Sequence, residues 1–341
     1  MASDSRTSRL RDLYSSVRTN VATAVRPLFY KMPERIVSPI RTIKKYFYTF
    51  GALPNVFAPR TFNEKVNARK FFDHRPIFNT WVDKLAVRDW VAAVKPGYDR
   101  LLPELLHVTT EPGDIPFDRL PDRFVIKASH GSGWLRIVKD KAGLDREAVI
   151  AECRQWLGMN YYDLNLEAVY RDIPPRIIIE EFLDNGFGEA PEDYKLYVFH
   201  GRVEIIQVDV ARFGQHRRKI YDRHWREQPV ELSVTTYEGT LPPPPQLAEL
   251  IEVAETLAGD IDFVRADLYV VGDRIYFGEM TPSSGNGFNR FTPASFDAVM
   301  GAFWKLAPPP VLVLNSLRQS RTPAPEPRPA CRMQVSAPDM V

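Results

Sequence analysis

The sequence predicts an α+β fold, and three observations carry that reading. Phe263–Gly287 (FVRADLYVVGDRIYFGEMTPSSGNG) sets two apolar runs around Gly-Asp, the signal of an antiparallel hairpin. Asp193–Phe199 and Val203–Val210 flank His200-Gly201 and read as a second hairpin. Helical periods at Asn63–Phe72, Thr80–Val94, Arg146–Leu157 and Gln246–Leu257 are interspersed with these strands. At 341 residues, 44% hydrophobic and 12% aromatic, the chain can bury a sizeable core and is not of disordered composition.

The first hairpin holds the sharpest chemical signal. Each of its apolar runs, Val264–Val271 and Ile275–Met280, carries one carboxylate, Asp267 and Glu279. A carboxylate in a buried strand is costly unless something pairs with it. A two-residue turn, Gly272–Asp273, pairs Val271 with Arg274 and sends the two acids to opposite faces. A three-residue loop, Gly272–Arg274, sets Asp267 opposite Glu279 and brings Arg265 and Thr281 to the same face, because strand side chains alternate with period two. The other face is then Ala266, Leu268, Val270, Tyr276, Gly278 and Met280, suited to a core. We expect the second register, or an equivalent bulge. Facing carboxylates suit Mg²⁺ held between protein oxygens and nucleotide phosphates. The alternative is an ordinary hairpin whose acids pair with Arg265 and Arg274.

Charge and cysteine content narrow the classes. Residues 1–50 hold ten Lys/Arg and three Asp/Glu, whereas the remainder holds 35 and 40, so a basic arm precedes a mildly acidic body. An acidic body argues against nucleic-acid binding. Cys153 and Cys331 are the only cysteines, which excludes a disulfide framework or a zinc cluster and fits a reducing cytosol. No apolar run reaches the roughly 18–20 residues of a membrane span, and no signal-peptide core is seen. Leu10, Leu13, Val17, Val21, Ala24, Val25 and Leu28 follow a helical period with Arg9, Arg11, Arg18 and Arg26 on the polar face. Such a helix suits an anionic membrane surface, or packing on its own domain.

Along the chain, residues 51–62 read as a loop. In Thr80–Val94, Lys84 and Arg88 share one helix face, which by itself is a solvated charged surface. Arg123–Ala128 is a strand whose Lys127 needs an anion nearby. Ser129-His130-Gly131-Ser132-Gly133 follows, then the strand Trp134–Val138. Strand, Gly-rich loop, strand is neither a Walker A loop nor a Rossmann fingerprint; backbone N–H groups there can wrap a phosphate, or the loop is a plain hairpin connection. Arg176–Leu183 (RIIIEEFL) reads as a central buried strand. Arg212–Arg226 reads as a polar basic loop, either solvated or a lid over an anion. Pro242–Pro245 marks a linker. After Pro308–Pro310 a tail rich in Pro, Arg, Ser and Ala reads as disordered.

In this order, TFNEKVNARK, DKLAVRDWV, FVIKASHGSGW, IIIEEFL, DYKLYVFHGRV, VRADLY and FGEMTPSSG resemble the ATP-grasp enzymes, and within them the TupA-like group, associated with teichuronopeptide and other surface-polysaccharide biosynthesis. The resemblance covers roughly residues 59–306. It implies two α+β subdomains clasping ATP, preceded by a helical basic N-terminal extension. The expected division is 1–58 for that extension, 59–120 for a helical part, 121–183 for the small subdomain with the Gly-rich loop, 184–307 for the metal-bearing subdomain, and 308–341 for the tail.

The resemblance also implies roles. Lys84 and Lys127 hold ATP phosphates, and Ser129, His130, Gly131, Ser132 and Gly133 close over them. Glu180 accepts from the adenine amino group, with Glu181, Phe182 and Leu183 at the ring edge. Asp193 is placed for the ribose and Lys195 for a phosphate. Asp267, Glu279 and Thr281 bind Mg²⁺, with Mn²⁺ as a substitute, and Arg265 stabilises the transferring phosphoryl group. The wider superfamily commonly has Asn where Thr281 stands; the TupA-like pattern has Thr. The implied reaction joins an acid and an amine from a glycan or peptide precursor through an acyl phosphate, in the cytoplasm or at the inner face of the membrane. Closing of Ser129–Gly133 and Arg212–Lys219 excludes water, and Ser283-Ser284-Gly285 either binds the substrate carboxylate or is a turn. A kinase of a sugar or small metabolite, or a non-catalytic membrane-associated assembly protein, are the rival readings. Deleting residues 1–30 is expected to abolish co-sedimentation with anionic liposomes; retained binding would mean that the basic helix is no anchor.

Overall fold

The computed structural model describes residues 34–210 and 214–306. The amphipathic segment Leu10–Leu28, Arg212 and the tail 308–341 lie outside the described residues. Four helices come first: α1 (Glu34–Phe50), α2 (Phe62–Phe72), α3 (Ile77–Val82) and α4 (Ala86–Val94). Next are β1 (Leu105–Thr109), β2 (Phe124–Ala128), β3 (Leu135–Val138), α5 (Arg146–Leu157), α6 (Tyr161–Asn165) and β4 (Ile177–Glu181). Then follow β5 (Asp193–Phe199), β6 (Arg202–Val210), β7 (Arg217–Asp222), β8 (Glu231–Leu232), α7 (Leu247–Ala258), β9 (Phe263–Val271), β10 (Arg274–Thr281), β11 (Phe291–Thr292) and α8 (Phe296–Phe303). No helix among the described residues is long and apolar enough to cross a membrane.

Two antiparallel sheets frame the molecule. One runs β1-β4-β2-β3 and the other β10-β9-β5-β6-β7. The RIIIEEFL strand is central in the first sheet, as its apolar run predicts. One face of that sheet buries Phe124, Ile126, Ile177 and Ile179 against Val149, Cys153 and Trp156 of α5. The alternation leaves Val125, Lys127 and Glu180 on the opposite face, with Val125 paired to Glu180. In the larger sheet, Leu196, Val198, Val264, Ala266, Leu268, Ile275, Phe277 and Met280 pack with α3, α4 and α7. Each such fully buried side chain contributes roughly 1.5–3 kcal/mol through area burial.

The β9–β10 hairpin departs from its predicted loop and keeps the predicted pairing. Its turn has two residues, because Val271 pairs Arg274 and Phe277 pairs Leu268. A bulge between Phe277 and Glu279 then inserts Gly278, so that Glu279 pairs Asp267 and Thr281 pairs Arg265. The core face is corrected accordingly: Ile275 and Phe277 join the core cluster in place of Tyr276 and Gly278. Gly278 is where the bulge is permitted sterically. A Cβ there would lie 2.9 Å from the Asp267 carbonyl oxygen and 2.9 Å from the Tyr269 ring.

Two further expectations are corrected. Thr80–Val94 is not one helix, since α3 ends and α4 begins around Asp83-Lys84-Leu85. Asp83 Oδ1 accepts from the Leu85 N–H at 2.9 Å, an Asx turn that competes with the helical pattern. The Lys84 N–H donates instead to the Ser129 carbonyl at 3.1 Å, which ties the break to the Gly-rich loop. Nor can Arg217–Lys219 act as a lid, because β7 is paired along β6. Its charges are neutralised in place, Arg218 by Asp209 and Lys219 by Glu227.

The TFNEKVNARK segment becomes α2, started by a Thr61–Glu64 capping box, and it anchors the hairpin. Arg69, 2% exposed, donates to the Phe263 carbonyl at 2.7 Å and the Pro282 carbonyl at 3.2 Å, and pairs with Asp262 at 2.6 Å. Both ends of β9–β10 therefore hang on one guanidinium. Gly278→Ala is expected to cost about 1–3 kcal/mol of stability by overpacking, read from denaturant unfolding. An unchanged midpoint would mean that the bulge has room for a side chain.

Candidate functional site

A cleft of about 1110 Å³ of empty space, open to solvent, lies where the two sheets approach each other. One wall carries Lys127 and Glu180 from β2 and β4, and the other carries Asp267 and Glu279 from β9 and β10. Lys84 and Arg88 enter from the α3–α4 break, and Glu181, Phe182 and Leu183 form the rim after β4.

The cationic side is built from alternation and the helix break together. Lys127 follows from β2 parity and forms an ion pair with Glu180. Arg88 pairs with the other Glu180 oxygen at 2.6 Å and donates to the Pro103 carbonyl at 2.6 Å. Arg88 is therefore a cleft residue that sequence reasoning left on a solvated face. Its spacing from Lys84 was visible; its partner, ninety-two residues away, was not. Lys84 donates to the Gly131 carbonyl. Burial lowers its pKa, while Glu279 and Glu180 oppose that shift.

The Gly-rich loop divides into two parts. Ser132 and Gly133 line the cleft. Ser129 and His130 are buried beneath it: the Ser129 N–H donates to the Arg176 carbonyl at 2.9 Å, and His130 Nε2 lies 3.0 Å from the Trp156 carbonyl. These two residues hold the loop in place rather than face the cavity. Glu181 likewise turns its carboxylate to the Glu104 N–H at 2.8 Å.

Arg265 organises the acidic side. Its Nε and Nη2 reach the two Asp267 oxygens at 2.6 and 2.7 Å, and Nη2 also reaches Glu279 at 2.8 Å. It further donates to Thr281 Oγ1 at 3.1 Å and Ser284 Oγ at 3.2 Å. Thr281 in turn donates to Glu279 at 2.9 Å. Against burial, which weakens a cation, Asp267 and Glu279 hold the Arg265 guanidinium well above its usual range. Burial pushes the Asp267 carboxyl up to about 6, opposed by Arg265 and Lys195.

The same face continues across the sheet. Lys195 bridges Asp193 and Asp267, the latter at 2.6 Å. Beyond it, Tyr197 donates to Gln207 at 2.8 Å, and Gln207 donates to Asp209 at 3.1 Å. Arg218 closes the row on Asp209 at 2.5 and 3.1 Å. Asp193, Lys195, Arg265 and Thr281 thus adjoin the cleft through Asp267 and Glu279. Of the predicted site residues, Lys84, Lys127, Ser132, Gly133, Glu180, Glu181, Phe182, Leu183, Asp267 and Glu279 line the cleft, whereas Ser129, His130 and Gly131 lie buried beneath it and Lys195 is held between two carboxylates.

The profile of the TupA-like ATP-grasp family matches residues 64–305. The chain belongs to this family. No curated protein matches it. Among solved structures it is similar to the D-alanine–D-alanine ligase of Bacillus anthracis complexed with ATP, at 17% identity and a TM-score of 0.34, over 60% of this chain and 54% of that one. It is also similar to the N5-carboxyaminoimidazole ribonucleotide synthetase of Thermus thermophilus (16%, TM-score 0.36, 65% and 52%) and to a RimK-domain ATP-grasp protein of Sphaerobacter thermophilus (14%, TM-score 0.39, 67% and 69%). The chain spans little more than half the length of the first two.

For a TupA-like ATP-grasp chain the donor set at Asp267, Glu279 and Thr281 is oxygen only, which fits Mg²⁺ completed by phosphate oxygens. No cluster of three or more His, Cys, Asp or Glu able to hold a metal occurs among the described residues.

The Asp209–Arg218 pair makes the sheet pH-sensitive. Burial pushes Asp209 upward, but Arg218, with Lys195 and His216, carries it down to about 2. A carboxyl depressed on folding adds stability above its unfolded value near 4, and that stability is lost as pH falls toward 2. The stability gap between wild type and Arg218→Gln is expected to narrow by about 2 kcal/mol from pH 5 to pH 2 in urea titrations. A constant gap would show that the pair does not control this protonation.

Proposed function

We propose that the chain is an ATP- and Mg²⁺-dependent carboxylate–amine ligase acting on a surface-polysaccharide or peptide-glycan precursor. The observation that carries this reading is the opposition, across one cleft, of Lys84 and Lys127 to the facing carboxylates Asp267 and Glu279. Cations on one wall and paired acids on the other suit a nucleotide triphosphate whose charge is shared between protein cations and a metal.

In this reading Asp267, Glu279 and Thr281 would hold Mg²⁺, which when bound supplies neutralisation of phosphate charge. Lys84 and Lys127 bind phosphate oxygens, with Ser132 and Gly133 above them. The adenine lies along Phe182 and Leu183, beside Glu180. Arg88 and Lys127 hold the two Glu180 oxygens and turn that side chain toward the cleft. Arg265 takes up charge on the transferring phosphoryl group, and its bidentate grip on Asp267 orients it for that task. A substrate carboxylate attacking the γ-phosphate gives an acyl phosphate and ADP. An amine then displaces phosphate and forms the amide. The basic N-terminal segment is assigned to peripheral contact with an anionic membrane.

The test is a mass-spectrometric screen of acid and amine pairs read by ADP release. A ligase releases ADP and phosphate only when both acid and amine are present. A phosphorylated product without free phosphate would replace this reading with a kinase. With the active pair, Lys127→Ala and Glu279→Gln are each expected to lower kcat/KM at least 100-fold. Unchanged turnover in either would overturn the site assignment.

A further inference from the structure

Glu167 is buried, 8% exposed, in the segment between α6 and β4. Among the described residues nothing hydrogen-bonds or ion-pairs with its carboxylate. Lys70, in the same cavity, donates to the Asn286 carbonyl at 2.9 Å and to its side-chain oxygen. A buried carboxylate left this way carries most of its desolvation cost. Burial raises it to about 7, with Lys70 opposing and Glu279 adding to the shift.

Its surroundings lead toward the reaction centre. Glu167 lines a small cavity together with Arg69, Lys70, Asp73, His74, Val169 and Ser283. Ser283 precedes Ser284, whose hydroxyl accepts from Arg265. Lys70, His74, Ala168 and Val169 also line a larger groove of about 1500 Å³. Its other walls include Phe57, Phe71, Phe72 and Leu166. None of these residues lines the nucleotide cleft. In the same segment the Tyr161 ring lies 4.6 Å from that of Tyr170 and 5.6 Å from that of Trp134, which follows the Gly-rich loop.

We propose that Glu167 receives the ammonium group of the amine substrate, a primary amine on a largely apolar body that enters through this groove. The proposal rests on the ligase reading and deepens it. Lys70, Lys45 and Arg265 face Glu167 electrostatically without a hydrogen bond to it; an ammonium supplies those hydrogen bonds, and the apolar groove takes the rest of the molecule. Nucleotide and amine then approach the Arg265–Glu279 centre from separate openings.

The test measures binding without turnover. Full-length protein loaded with a non-hydrolysable ATP analogue and Mg²⁺ is titrated calorimetrically with n-butylammonium chloride, with n-butanol as the uncharged comparison. Wild type is expected to bind the cation, Glu167→Gln at least tenfold more weakly, and Glu167→Asp in between. Ala168→Leu, which narrows the junction of cavity and groove, is expected to weaken the cation similarly while circular dichroism reports a folded chain. Equal affinity in wild type and Glu167→Gln, no preference for the cation over butanol, or no binding by wild type would each overturn the proposal. Failure of the ligase reading shows separately, as no ADP release with any acid and amine pair.

Discussion

One guanidinium holding two facing carboxylates is the constraint around which the molecule is arranged. Asp267 and Glu279 sit opposite each other on neighbouring strands, where like charges repel and burial penalises Asp267. Arg265 reaches both from the same sheet face and is itself buried. Lys195 supports Asp267 from the next strand. Removing any one member would leave a buried charge uncompensated, a more costly state than the intact network. That mutual dependence couples the acidic side of the cleft to the register of three strands.

Register in turn depends on a single inserted residue. With a two-residue turn and no bulge, strand alternation would have sent Glu279 to the core face and Gly278 toward the site. The extra residue at Gly278 reverses the parity after Phe277, and the close approach of the Asp267 backbone explains why that residue has no side chain. Arg69 clamps the hairpin from outside by holding Phe263 and Pro282. A core on one face and ion pairs on the other are thus both consequences of one local irregularity.

The cleft needs cations to meet these acids, and they arrive from a different kind of irregularity. Asp83 interrupts a helical run, and Lys84 falls in the gap against the Gly-rich loop. Arg88, one turn into the next helix, reaches Glu180 on the smaller sheet. The two walls are therefore joined by side chains that leave regular structure where the chain bends.

Much of this was legible in the residues themselves. Strand parity places Lys127 on the face of Val125, and the apolar run of β4 predicts a central strand, because alternation and burial are local properties; the register between β2 and β4 is what puts Glu180 on that face too. The presence of Asp267 and Glu279 in apolar strands marks a site for the same reason. What the tertiary structure alone decided were the matters set by distant partners. Asp209 turns the basic run Arg217–Lys219 from a candidate lid into a strand. Glu180 makes Arg88 a cleft residue. Asn286 takes the hydrogen bonds of Lys70. The facing of the two acids belongs to both levels: the sequence supplies the acids and the glycine. The choice between a longer loop and a bulge is made by packing, which puts Ile275 and Phe277 in the core and leaves the irregularity where only a glycine fits.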